Sequence, residues 1–297
     1  MTQRNIIPPE IASNYIELAI RKVKIPYLKM FILGIYGGFF ISLASVCSLA
    51  CSYRMTGGDS RYYSGLVFPI GLMLCLCAGS ELFSANCLLV IPLFCRKILI
   101  SEMLISWLLV YLGNFVGGFI MSLLIVYGHV GNLFESGLAQ MFVSTATSKT
   151  TIGFGDAFVK GILCNFCICL SVWISLGAKD LFSKIAALWA PTLAFIACGF
   201  EHCVDNMFYI PAGLFASYEY NLTRVKLDWG RYFYKSLIPV TLGNICGGAI
   251  LVGLGYWYIY LTPDSFDSIA PFDNRIPPID NQMAQNNNVN NDVNVNK

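Results

Sequence analysis

Three long stretches of this chain contain no Asp, Glu, Lys or Arg at all: residues 30–53, 103–134 and 236–263. A helix needs roughly 20 residues to cross about 30 Å of hydrocarbon, and each stretch is long enough. Inside a bilayer every backbone polar group has to be satisfied within the protein, so stretches of this kind fold as helices. Composition agrees, because only 12% of the 297 residues are charged and 56% are hydrophobic, against about 25% charged in an ordinary soluble domain. A soluble enzyme, a nucleic-acid binder and a secreted disulfide scaffold are excluded. The net charge of +2 gives no reason to expect a polyanionic partner.

The apolar pattern predicts an all-α membrane protein with six spans, at about 27–50, 65–94, 103–127, 157–178, 185–215 and 236–261. Ahead of them, residues 1–26 read as an amphipathic helix lying in the interface, with Ile11, Tyr15, Ile16, Ala19, Ile20 and Val23 on one face. The transporter-sized core is 27–261, and 262–297 is an Asn-rich tail with too little apolar surface to order itself. Six spans put both termini on one side, and a slight excess of Lys and Arg there places them in the cytoplasm. The sequon Asn221-Leu222-Thr223 then faces outward. Most of the 12 cysteines sit in or beside apolar runs and read as small packing residues. Cys164 and Cys167 form a C-x-x-C with no second pair or histidine nearby, so neither a metal nor a cofactor is implied.

The second and fifth spans are about 30 residues long and each is interrupted near its middle. The interruptions match: Gly79-Ser80-Glu81-Leu82-Phe83-Ser84-Ala85-Asn86 and Gly199-Phe200-Glu201-His202-Cys203-Val204-Asp205-Asn206 share G-x-E-x-x-x-x-N. A second echo follows in the same order, Leu112-Gly113-Asn114 with Gly117-Gly118, and Leu242-Gly243-Asn244 with Gly247-Gly248. Two matched pairs in register indicate a duplicated unit of three spans. Because three is odd, the second copy stands upside down, which is an inverted 3+3 repeat with broken second and fifth helices. Irregular backbone at membrane depth lines a cavity or is buried in protein, so both breaks are expected to meet around a substrate path.

His202 lies inside the second break, where an ionisable group is costly and marks a functional path; its counterpart in the first is Leu82. Asn206, four residues on, is placed to bond the ring if the chain there is helical. Ser84 brings a hydroxyl that can donate to an anion or to the neutral ring. Glu81 and Glu201, with Asn86, occur in both copies, so their simpler reading is structural: carboxylates that accept from N–H groups freed by the break. Lys149 can attract anions into a vestibule, although a loop lysine is more often merely solvated. His129 reads as a solvated loop residue.

On these residues the chain resembles the formate/nitrite transporter family over about 10–261. Phe68-Pro69-Ile70-Gly71-Leu72-Met73 with Ala78-Gly79-Ser80-Glu81-Leu82-Phe83-Ser84 is similar to the family's second helix and loop, Gly161-Ile162-Leu163-Cys164-Asn165 to its fourth helix, and 199–208 to its fifth. The resemblance implies an aquaporin-like fold, five associated protomers each with its own pore, and passage of a small monovalent anion or its acid. It implies that His202 is the central pore histidine with Asn165 and Asn206 near it, that Phe68, Leu72, Leu82, Phe83 and Phe195 form two hydrophobic constrictions, and that Lys149 is the vestibule lysine. Formate, acetate, lactate, nitrite and hydrosulfide are the substrate candidates, moving with a proton across what we take to be the plasma membrane. Ser84, Ala85 and Cys203 leave room for a two- or three-carbon acid.

One string argues for another class. Thr150-Thr151-Ile152-Gly153-Phe154-Gly155-Asp156 resembles a potassium-channel filter over 151–156, with 134–147 as its pore helix. It occurs once, Lys149 stands just behind it, and the duplication centres elsewhere; a short Gly-rich turn into the fourth span is the plainer reading.

Overall fold

A computed structural model describes residues 6–223 and 226–262. Among them the regular structure is entirely helical. Most of the segment read as an Asn-rich tail lies outside the described residues.

Helix α1 (Pro8–Val23) starts on two prolines, whose missing N–H groups cost nothing in a first turn. It ends before Pro26, which opens α2 (Tyr27–Cys51). Helix α3 (Asp59–Gly79) is followed by α4 (Phe83–Phe94), and then by α5 (Ile100–Tyr127). Helix α6 (Gly137–Thr151) precedes α7 (Phe154–Leu176). Helices α8 (Leu181–Ala197), α9 (Cys203–Glu219) and α10 (Trp229–Leu261) complete the chain. Five of these, α2, α3, α5, α7 and α10, are long and apolar enough to cross a membrane.

The expected second and fifth spans are therefore pairs of helices, α3 with α4 and α8 with α9, and their first members begin at Asp59 and Leu181, a few residues before the apolar pattern does. Asp180 sets the second start: its carboxylate accepts the Ser183 N–H at 2.8 Å as an N-cap. Helix α6 was expected only as a stretch of the filter reading. The string 151–156 is the α6–α7 junction: Thr151 closes one helix, Phe154 opens the next, and only Ile152 and Gly153 lie outside them. It offers no run of extended carbonyls of the kind a cation filter requires. All twelve cysteines are free thiols.

Helix α2 packs along α5, and α7 along α10. Glycines explain the closeness. Gly34 and Gly38 of α2 meet Gly113, Gly117 and Gly118 of α5 backbone to backbone, and Gly161 of α7 meets Gly243 of α10 in the same way. Without a hydrophobic force between helices in lipid, small residues at the seam gain van der Waals contact. The Gly-Asn-x-x-Gly-Gly echoes are these two seams. Helix α9 lies on α5 and α6, α8 lies on α3 and α7, and α1 rests on the end of α10, on α4 and on α7. The face of α1 expected in the interface is thus covered by protein at Ile11, Tyr15, Ala19 and Val23.

Candidate functional site

Both breaks are built alike. Gly79 and Gly199 hold φ of +98° and +68°, a left-handed turn that glycine takes without steric cost. Residues 80–82 and 200–202 then run outside any helix into α4 and α9. Their freed groups are answered by an asparagine from the neighbouring seam. Asn114 of α5 accepts from the Phe83 N–H at 2.9 Å and donates to the carbonyls of Gly34 and Glu81. Asn244 of α10 accepts from the Cys203 N–H at 2.9 Å and donates to the carbonyls of Gly161 and Glu201. Side-chain amides supply both donor and acceptor, which is why this residue type serves.

The two glutamates are handled alike too. Asn86 donates to Glu81 at 2.8 Å and Asn206 donates to Glu201 at 3.0 Å. Lys22 of α1 lies 3.1 Å from Glu81, and Lys149 in the last turn of α6 lies 2.9 Å from Glu201. Neither carboxylate accepts from the broken backbone in these contacts; each is an ion pair tied to an asparagine. Pairing relieves the cost of burying a charge. Lys149, expected in a loop, is thus helical and paired, and its ammonium also sits 5.3 Å from the Tyr209 ring centroid.

The copies part company at the break centre. His202 is 1% exposed. Its Nε2 stands 2.9 Å from Ser84 Oγ, so one break reaches the other. Its Nδ1 stands 2.5 Å from Asp205 Oδ1. Asp205, and not the expected Asn206, therefore partners the ring; Asn206 is taken by Glu201 and by Ser236 at 2.8 Å. Asn165 donates to the Ser84 carbonyl at 3.1 Å and to the Asn244 carbonyl at 2.7 Å, tying the first break to the second seam.

Among the expected constriction residues, Phe68 and Phe195 meet edge to face at 5.6 Å, and Phe195 lies 6.2 Å from the histidine ring. Leu72 and Leu82 are buried. Phe83 is buried against Trp107 and Tyr111, where it helps line an apolar cleft of about 350 Å³ between α5 and α10.

Sequence reasoning missed four residues. Lys22 was read only as part of an amphipathic surface, although it precedes Lys149 by the 127 residues that separate Gly34 from Gly161. Asp205 was readable as the acid one helical turn after His202. Arg61, from the start of α3, brings its guanidinium to 3.3 Å from where a Cβ on Gly199 would stand. Lys184, from the start of α8, donates to the Leu76 carbonyl at 3.0 Å, just ahead of the first break. Each break receives a cation from the other half of the chain, and nothing local in sequence announces that.

Outside the membrane-spanning segments, the Ser183 N–H bond holds the Asp180 carboxyl below the usual range. Among the described residues no cluster of His, Cys, Asp and Glu is arranged to hold a metal.

The sequence profile described as formate/nitrite transporter matches residues 9–258. An uncharacterized transporter, YrhG, of Bacillus subtilis (strain 168) is 37% identical over 86% of this chain and 94% of its own length. The formate channel BtFdhC of Bacillus thuringiensis is 35% identical over 85% and 95%. A solved structure described as a pentameric formate channel with formate bound superposes with a TM-score of 0.69 at 29% identity, covering 80% of this chain and 98% of that one.

Proposed function

Because this chain belongs to the formate/nitrite transporter family, an integral membrane family of transporters and channels, we propose that it carries small monovalent weak acids, formate, acetate and lactate among them, as anion plus proton. The observation that carries this reading is the buried His202, bonded across the junction of the two breaks to Ser84. The matched breaks, seams and ion pairs support an inverted 3+3 repeat in an aquaporin-like fold. The pentameric relative supports five copies; each has its own pore in this reading, and the slight excess of Lys and Arg on the terminal side favours cytoplasmic termini in a plasma membrane.

The energetics follow from the lining. A carboxylate that enters between Phe68, Leu72, Leu82 and Phe195 loses its hydration, whereas the neutral acid loses far less. Desolvation raises the pKa of the entering anion, so it takes up a proton at the constriction. His202 with Ser84 is the protein group placed to give or relay that proton. Lys149, shared with Glu201, draws the anion toward the break, Asn165 holds the Ser84 carbonyl beside the histidine, and Asn206 holds the Glu201 carboxylate. Direction follows the two gradients. Small residues at Ser84, Ala85 and Cys203 admit two- and three-carbon acids.

Liposomes carrying the purified chain, with inside pH fixed and outside pH stepped from acid to neutral, test this. Uptake of radiolabelled formate, acetate and lactate is expected to rise with acidity and to fall to background in His202→Phe. Weak-acid uptake that survives that substitution unchanged would remove the histidine from the path.

A further inference from the structure

The shortest polar contact at the junction, His202 Nδ1 to Asp205 Oδ1 at 2.5 Å, has no role in the reading above. Both side chains are buried, at 1% and 2% exposure. Their counterparts in the first break, 120 residues earlier, are Leu82 and Ala85. Both polar groups are thus present in one copy and both are apolar in the other, while the scaffold of Gly, Glu and Asn is common to both. A buried carboxylate without a partner is costly, and so is a buried imidazolium; each makes the other tolerable.

We propose that Asp205 is the positioning residue that keeps a transferable proton on His202 at neutral pH, so that the pore centre stores that proton as a net-neutral imidazolium–carboxylate pair. The proposal rests on the weak-acid reading above. A lone histidine at this depth is driven to its neutral form by desolvation, and its remaining N–H is too weak an acid to protonate a carboxylate. A carboxylate on Nδ1 reverses that preference and leaves Nε2–H directed at Ser84 and the path.

When an anion arrives, the Nε2–H bond breaks and an O–H bond forms on the substrate. The neutral acid moves on. The site is left with neutral imidazole, its Nδ1–H still donated to the Asp205 carboxylate, and a net charge of −1. That buried charge pulls in the next proton, which returns from water to Nε2, with the Ser84 hydroxyl beside it as relay.

The Arg61 guanidinium stands beside Gly199 at the edge of the break, and the glutamates are paired. Glu201 is held by Lys149 of α6, and Glu81 by Lys22 of α1. The groups that share the field of the Asp205 carboxylate are the Cys164 thiol of α7 and the Cys203 thiol and Tyr209 phenol of α9. From α8 the ring faces Phe195, and from α4 the Ser84 hydroxyl.

Formate uptake into liposomes, measured from pH 5 to pH 8 for the full chain, Asp205→Asn, Asp205→Glu and His202→Phe, tests this. Asp205→Asn keeps the size and loses the charge. It is expected to match the unaltered chain near pH 5 and to fall about 10-fold or more by pH 7, its profile displaced toward acid by about 1–3 pH units. Asp205→Glu restores part of the neutral-pH flux. A profile of unchanged shape in Asp205→Asn, whether lowered at every pH or not at all, overturns the proposal. Failure of the underlying reading looks different: no weak-acid uptake by the unaltered chain, or full uptake by His202→Phe.

Should Asp205→Asn not assemble, the unaltered chain answers by 15N NMR of labelled histidine, with His129→Gln identifying the exposed ring. Both ring nitrogens of His202 protonated at pH 7 is the expected result; a neutral ring overturns the proposal.

Discussion

At Gly79 and at Gly199 the backbone makes the same left-handed turn, and the same set of partners follows: a glutamate on a lysine, an asparagine on that glutamate, and a second asparagine from the adjoining seam. What the two breaks display is different. The first offers Leu82, Ser84 and Ala85, and the second His202, Val204 and Asp205, at matching positions. Holding a membrane helix open is a task both halves share, and it uses the residues that were kept. The proton transfer proposed above needs one donor and one acceptor, and the residues assigned to it sit where the copies diverged. Shared residues report structure here, and unshared ones report chemistry.

Substitution at the unshared positions tests that division most severely. His202→Ala is expected to abolish weak-acid flux while the protein survives detergent extraction and gel filtration unchanged, whereas Leu82→Ala, its counterpart, retains flux and relaxes size selectivity among formate, acetate and lactate. Equal loss in both variants would erase the distinction.

The ion pairs come next. Removing one partner of a buried pair costs about 3–5 kcal/mol. Lys22→Met and Lys149→Met are therefore expected to lower the thermal midpoint by similar amounts. Pairing each with its neutralised glutamate, Lys22→Met with Glu81→Gln and Lys149→Met with Glu201→Gln, should recover part of the loss. A drop in only one half would mean the pairs are not equivalent.

Asn114→Ala and Asn244→Ala each orphan one buried N–H and the carbonyl of the break glutamate, at about 1–3 kcal/mol for each group left unsatisfied. Matched losses, read by thermal unfolding, sustain the common scaffold. The glycines sharpen the contrast. A positive φ strains any side chain by about 1–3 kcal/mol, so Gly79→Ala and Gly199→Ala both destabilise. Gly199→Ala should cost more, because Arg61 occupies the space there while nothing lies within 4 Å at Gly79.

The smallest effect is at Asp180. Its carboxyl is depressed by the Ser183 N–H, so the cap is fully formed above the ordinary carboxylate range and is lost as pH falls through the depressed value. Hydrogen exchange at the first turn of α8 should accelerate only in acid, and Asp180→Ala should remove that dependence.

The breaks were legible because their residues are close in sequence and recur: Gly79, Glu81 and Asn86 read directly against Gly199, Glu201 and Asn206. His202 stood out as an ionisable side chain in an apolar run. The partners were harder. Asp205 and Asn206 are neighbours, and the ring's choice between them depends on χ angles at the start of α9. Lys22 had the same standing as Arg21 and Lys24 on an amphipathic helix; which of them turns inward depends on how α1 settles against α4, α7 and α10. Phe83 was expected at a constriction, and its ring contacts, with Trp107 and Tyr111 of α5, join side chains far apart in the sequence.

The sequence by itself therefore determined that this chain crosses a bilayer as helices, that two of its segments share a Gly-x-Glu…Asn pattern, and where those helices are interrupted, because hydropathy, charge spacing and repeated glycine-asparagine patterns are local properties. Only the tertiary structure decided which lysine neutralises which glutamate, that Ser84 and Asp205 rather than Asn206 flank His202, and that Arg61 and Lys184 cross to the opposite half. Those contacts reach far along the chain, 118 residues between His202 and Ser84. They are set by the angle at which glycine-lined helices close on one another, which no run of neighbouring residues encodes.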